Sequence, residues 1–153
     1  MTIRLALTTE ADALSEIARQ AKKHWGYPDH WIEHWRDDLT ISSYFIERNP
    51  VYVAEHEGAL VGFYALVVHQ DKAVLDHLWV APDHIGSGIG KQLFLHAMQG
   101  SAGRNLSTVE ISSDPHAEGF YQKMGAYRMG EAVSEIDGQP RILPLLEFDP
   151  RSK

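Results

Sequence analysis

The spacing of apolar positions changes several times along the chain, and each change marks an element. Ile3 to Leu7 alternates and predicts a first strand. Thr8 and Thr9 can cap a helix with Asp12 in its first turn, and Leu14, Ile17, Ala18 and Ala21 then recur at three- and four-residue spacings to about Lys23. Gly26 and Pro28 break that helix, Asp29 can cap a second that runs toward Leu39, and Ile41 to Arg48 carries Tyr44, Phe45 and Ile46. From Val51 the apolar pattern is nearly continuous. VYVAEHEGALVGFYALVV predicts strands over Val51 to Glu55 and Leu60 to Val68, covered on both faces, about a turn at His56-Glu57-Gly58-Ala59. After Gln70 and Asp71, Ala73 to Val80 predicts the next strand and completes an antiparallel meander. Ile89, Leu93, Ala97 and Met98 line one face of a helix that ends near Gly100 and Gly103. Leu106 to Ser112, Ala126 to Glu135 and Arg141 to Phe148 read as strands. The last two are joined through Asp137-Gly138-Gln139-Pro140, and Pro144 puts the final strand at an edge or bulge.

The 153 residues predict one domain over 1–148 with a loose tail at 149–153, and no repeat or linker interrupts it. Net charge is −7, which argues against a general nucleic-acid binder and permits a cationic or amine substrate. The absence of cysteine removes disulfides, thiolate metal sites and a catalytic thiol. The first residues lack the features of a signal peptide and no apolar run approaches membrane-spanning length, so the cytoplasm is the expected location and no membrane partner is expected.

Between the strand at Ala73 to Val80 and the next helix lies a loop with Gly86, Gly88 and Gly90 at alternate positions. Glycines there remove the Cβ atoms that would block a ligand, so loop N–H groups and the helix dipole can converge on an anion. The loop fails the Walker spacing twice: Ile85 stands where its first glycine belongs, and Gln92 replaces the hydroxyl residue. A dinucleotide fingerprint would need glycine at Lys91. The remaining match is a resemblance. Strand, V-x-P and G-x-G-x-G opening a helix resembles the acyl-CoA loop of the GNAT superfamily of N-acetyltransferases, with Gly88 and Gly90 on its glycine positions and Ile85 where the family has Arg or Gln.

A second stretch, SDPHAEGFYQKMGAYRMG, resembles the other signature of that family. Asp114, Ala117, Phe120, Tyr121, Gly125 and Ala126 fall on its positions in order, Asp114 replacing the usual Asn and Ala126 the usual Phe. The resemblance covers roughly residues 50–148. It implies an α/β (α+β) fold: a mixed, mostly antiparallel central sheet of about seven strands, with a splayed parallel pair and about four helices. It also implies acetyl-CoA as cofactor, direct acetyl transfer to the amine of a small molecule or peptide, and a homodimer. The cofactor-binding set it implies is Leu78, Trp79 and Val80 along the pantetheine, Ile85, Gly86, Ser87, Gly88, Ile89, Gly90 and Lys91 at the pyrophosphate, and Asp114, Ala117, Phe120 and Tyr121. Tyr121 is the expected proton donor to the departing thiolate. Asp76 is the expected base, acting directly or through water; His77 has the better intrinsic pKa for the task but faces the other way if the strand is regular, and a bulge would reverse that choice. Strand alternation sets Asp76, Leu78 and Val80 on one face and His77 and Trp79 on the other.

Trp25, Trp31 and Trp35 place three of the four tryptophans within eleven residues. With Tyr27 they predict a wall over the acceptor pocket, Trp25, Tyr27, Trp31 and Asp76 forming the substrate-binding set, and Glu33, Asp37 or Asp38 available to an amine. The same segment contains His30 and His34 in an H-x-x-E-H pattern, which on a helix share a face as zinc ligands must. A zinc hydrolase would leave the glycine loop unexplained, so no metal is expected. A catalytically silent acyl-CoA sensor is the other alternative, favoured by the departures at Ile85 and Asp114.

Overall fold

Seven strands form one sheet in the order β1-β2-β3-β4-β5-β7-β6. In the computed structural model, which describes residues 1–151, the elements run β1 (Thr2–Leu5), α1 (Ala11–His24), α2 (Asp29–His34), α3 (Ser43–Arg48), β2 (Val51–His56), β3 (Ala59–His69), β4 (Lys72–Val80), α4 (Ile89–Gly103), β5 (Thr108–Ser112), α5 (Glu118–Lys123), β6 (Tyr127–Ile136) and β7 (Gln139–Phe148). Ser152 and Lys153 of the expected tail lie outside the described residues. Every expected strand is present. The pairs β1–β2, β2–β3, β5–β7 and β6–β7 are antiparallel, and β4–β5 is the parallel pair the family resemblance implied. That pairing joins Lys72 through Val74 to Thr108 through Glu110, and β4 runs on to Val80. Among the described residues no helix is long and apolar enough to cross a membrane.

The chain divides into two compact units, residues 1–66 with 77–95, and residues 67–76 with the chain from His96 onward. In the first, β3 is buried on both faces from Val61 to Leu66, as its unbroken apolar run predicts. Glu57 and Gly58 turn the β2–β3 hairpin at φ of 51° and 81°, the mirror-image turn that suits strand twist and favours glycine. Arg4 binds Glu10 and Glu55, its Nη2 lying 2.8 Å from each carboxylate, and so ties β1 and β2 to the start of α1. Ser15 Oγ accepts from Ile41 N–H and donates to a backbone carbonyl, fixing the segment after α2 against α1 in a buried place.

In the second unit, Val109 and Ile111 of β5 and Pro144 and Leu146 of β7 are buried. Gly125 adopts φ of +103°, and a Cβ there would lie 3.2 Å from the Phe148 ring, so the motif glycine is required by both conformation and space. Asp149 accepts from Arg151 N–H at 2.9 Å.

Four local expectations need correction. Thr8 and Thr9 form a short 3-10 turn rather than the cap. Glu10 holds the cap position of α1, its carboxylate accepting from Leu7 N–H at 2.7 Å. The second helix stops at His34, five residues short of Leu39, and continues as turns; Asp37 and Asp38 would place negative charge at the negative end of a helix dipole. Ser43–Arg48 is a fifth helix, capped by Ser42 Oγ accepting from Phe45 N–H at 3.0 Å. Finally, β7 lies between β5 and β6, and the bulge is on β6 between Arg128 and Gly130. Pro144 is tolerated there because its carbonyl accepts from Ser113 N–H just past the end of β5, and in an antiparallel ladder the missing N–H falls on that same side, where pairing has stopped.

Candidate active site

In the first unit, β4 leads through the 3-10 turn Pro82–His84 into the glycine loop, anchored by Ala81 N–H donating to Val61 C=O at 2.8 Å. Ser87 donates both its N–H and its hydroxyl to the His84 carbonyl, which curls the loop inward. Gly86 and Gly88 both adopt φ of +87°, and a Cβ added at either meets nothing within 4 Å. Glycine is therefore demanded by backbone conformation, while the space above the loop is open to a ligand. Gly88 C=O accepts from Gln92 N–H at 3.1 Å and starts α4, whose Ile89 is buried and whose Lys91 is exposed. Ile85 is half exposed, so no side chain from that position supplies the polar contact of the family pattern. Next to it, His84 Nδ1 is buried without a hydrogen-bond partner in the protein. Open glycine loop, helix start and orphaned imidazole nitrogen together fit a polar, anionic group such as the pyrophosphate of a coenzyme.

The aromatic segment folds as a cluster. Tyr27 stacks on Trp31 with centroids 5.8 Å apart and meets Trp35 edge-on at 5.0 Å. Trp25 reaches β4, its ring 5.7 Å from that of Trp79. Trp79 Nε1 donates to His77 Nδ1 at 3.0 Å, which confirms that these two share one face of the strand, and the His77 ring packs near Phe45 and Phe63. Leu78 and Val80 are half-buried, and Asp76 is exposed. Lys22 was not anticipated. Its Nζ lies 4.4 Å from the Trp35 ring centroid, 5.3 Å from that of Tyr27 and 5.8 Å from that of Trp25. His30 packs edge-on to Trp31, and among the described residues no three potential metal ligands cluster.

In the second unit, Asp114 follows β5 and its side chain is only 6% exposed. Its Oδ1 accepts from His116 N–H at 2.8 Å and lies 2.9 Å from His116 Nδ1, and its Oδ2 accepts from Arg141 on β7 at 3.2 Å. A carboxylate thus stands where the family places an amide because Arg141 balances its charge. Ala117 C=O accepts from Tyr121 N–H in α5, and Phe120 lies edge-on to Tyr121 at 5.3 Å. The Tyr121 ring is buried. Burial first, and the negative charge of Asp114 second, push its hydroxyl above the ordinary tyrosine value, so it stays protonated through neutral and mildly alkaline pH.

Arg141 and His116 carried no usable sequence signal. Arg141 is 27 positions from its partner, and His116 occupies an unconstrained position of the motif. Lys22 was more accessible, since at three residues before Trp25 it shares a helix-end face with it.

Comparison with known proteins converges on one family. The profile of the acetyltransferase (GNAT) domain matches residues 47–125. A 5-NmdU N-acetyltransferase of Pseudomonas phage PaMx11 is 28% identical over 87% of this chain and 91% of its own. The peptidyl-lysine N-acetyltransferase YjaB of Salmonella typhimurium is 36% identical over 71% of this chain and 70% of its own. Among solved structures, a GCN5-related N-acetyltransferase from Rhodopseudomonas palustris superposes with TM-score 0.81 at 19% identity, covering 97% of this chain and 94% of that one. The PaiA N-acetyltransferase of Thermoplasma acidophilum, solved with coenzyme A, gives 0.77 at 24% identity, covering 97% and 98%.

Proposed function

From the premise that this chain belongs to the GNAT acetyltransferase family and is an enzyme moving an acetyl group from acetyl-CoA to an amine, we propose an acceptor of the small-molecule or peptide class, received at the α1–α2 aromatic wall. The observation that carries this reading is the open glycine loop with φ of +87° at Gly86 and Gly88. Amides from Ile85 to Lys91 hold the pyrophosphate, backbone groups of Leu78, Trp79 and Val80 hold pantetheine, and Asp114, Ala117 and Phe120 complete the cofactor set. When bound, acetyl-CoA supplies a thioester whose sulfur must depart protonated. Tyr121 holds that proton at its hydroxyl, a role supported by its burial and raised ionisation. Asp76, exposed on β4, takes the proton of the amine directly or through water.

The names of the relatives frame the acceptor. The phage protein is named for 5-NmdU and the Salmonella protein for peptidyl-lysine, one a small-molecule and one a peptide class of acceptor. The net charge of −7 supports an amine that arrives as a cation, and the working form is a cytoplasmic homodimer of one domain over residues 1–148. Calorimetric titration with CoA and acetyl-CoA tests the reading beside Gly88→Trp, which fills the open loop. Micromolar binding abolished in the variant, with thiol release on adding an amine, is expected. No binding by the wild type, or undiminished binding by Gly88→Trp, refutes the loop as the cofactor site.

A further inference from the structure

The contact between Trp79 and His77 decides a proton's position. An indole nitrogen can only donate, so the 3.0 Å bond from Trp79 Nε1 has one possible direction, and His77 Nδ1 must present its lone pair. In the neutral ring the proton then resides on Nε2. Charging the ring would put a second N–H on Nδ1, facing the indole N–H, and the bond would be lost. Surroundings act the same way, since the His77 ring lies 5.9 Å from that of Phe63 and 6.3 Å from that of Phe45, apolar neighbours that solvate an imidazolium poorly. One nitrogen is committed as an acceptor to Trp79 and the other already carries a proton.

The other face of the relay is the acceptor wall. His77 and Trp79 are two positions apart on β4, so their rings rise side by side from one rigid strand. Trp25 stands just past the end of α1 and meets Trp79 at 5.7 Å with ring planes 48° apart. Without the bond, the indole of Trp79 is free to take other rotamers, and Trp25 loses a fixed surface to pack on.

We infer that His77 is a positioning residue: locked as the Nε2–H tautomer, it fixes Trp79 against Trp25 and so shapes the acceptor wall, and it does not take the proton of the amine. This deepens the acceptor-wall reading given above and rests on it. It also leaves the base role with Asp76, the acidic neighbour on the opposite face of the strand.

The test uses the intact protein and pairs a spectroscopic with a kinetic readout. Nitrogen-resolved NMR, with Trp79→Phe to assign the indole signal, should show a hydrogen-bonded Trp79 N–H and a lone-pair nitrogen at His77 Nδ1. His77→Phe should move the indole signal to a free-solvent position, and His77→Asn, which offers an acceptor oxygen near the same place, should restore it. In parallel, KM for the amine should rise about fivefold in His77→Phe, as expected for one lost hydrogen bond, and recover in His77→Asn, with KM for acetyl-CoA unchanged. A collapse of kcat in both variants at unchanged amine KM would overturn the inference and make His77 the base, leaving the wall reading intact. A confirmed tautomer with unmoved amine KM would instead overturn both the positioning role and the wall.

Discussion

Gly62 sits inside β3, where an added Cβ would lie 2.8 Å from the Trp79 carbonyl oxygen, 3.1 Å from Leu93 Cδ1 and 3.5 Å from Ile89 Cγ2. Its backbone is not in the left-handed region, so alanine is conformationally allowed. On that ground alone Gly62→Ala would stabilise the protein by about 0.5–1 kcal/mol, because the unfolded chain loses freedom. Sterics oppose this. Leu93 can rotate away, but the carbonyl belongs to the backbone of the neighbouring strand and can yield only if β3 and β4 move apart. Overpacking of this kind costs about 1–3 kcal/mol, and a backbone obstacle places the cost toward the upper end. The net expectation is a loss of about 2 kcal/mol, or roughly 4–8 °C in Tm for a chain of this size. Because Ile89 and Leu93 are in the first turns of the helix that opens from the glycine loop, CoA affinity should fall as well. Thermal and urea unfolding of Gly62→Ala beside Gly62→Ala/Leu93→Val separates the two obstacles. An unchanged or raised Tm in the single variant, or recovery in the double, would refute the argument that the carbonyl is the barrier.

Tyr121→Phe should lower kcat about 10²-fold or more while calorimetry finds CoA affinity unchanged; equal losses in both would assign the hydroxyl to binding. Asp114→Asn restores the family's residue yet removes the negative charge that faces Arg141, and it should destabilise the protein by about 2–4 kcal/mol in urea unfolding, most of it recovered in Asp114→Asn/Arg141→Leu. Additive losses would show that the pair is not coupled. The Glu10 carboxyl is held below its ordinary value of 4.5, chiefly by its hydrogen bond to Arg4 and against some burial. A depressed carboxylate stabilises the fold above the unfolded value, and that contribution disappears as pH falls through the lower folded value. Stability of the wild type should therefore drop more steeply from about pH 5 to about pH 3 than that of Glu10→Gln, and parallel curves would contradict this.

The strands were legible because their cause is local. The unbroken run through β3 reports burial on both faces, and Glu57-Gly58 and Asp137-Gly138 mark turns whose positive φ values the structure contains. The glycine loop was legible for the same reason, since spacing alone signals a backbone free of Cβ atoms. What escaped was long-range or electrostatic. No periodicity links Arg141 to Asp114, and the stop of α2 before Asp37 and Asp38 rests on a charge–dipole penalty that apolar spacing does not report. The His77–Trp79 pair lies between these cases: alternation places both rings on one face, but the engagement of one nitrogen depends on the rotamers the two side chains adopt in the fold.

Lys22 gives the aromatic cluster a chemical consequence of its own. It is a primary amine lodged in the wall proposed to receive primary amines, with Nζ 4.4 Å from the Trp35 centroid. Attack on a thioester needs the nitrogen to reach the carbonyl carbon, and the attraction of a cation to ring faces keeps the Lys22 nitrogen against Trp25, Tyr27 and Trp35 instead. Intact-mass analysis after incubation with acetyl-CoA and no acceptor should find Lys22 unmodified in the wild type and acetylated in Trp35→Leu; equal modification would contradict this. On this reading the wall guards its own amine by packing: Lys22 becomes a substrate only once the rings that hold its nitrogen are opened.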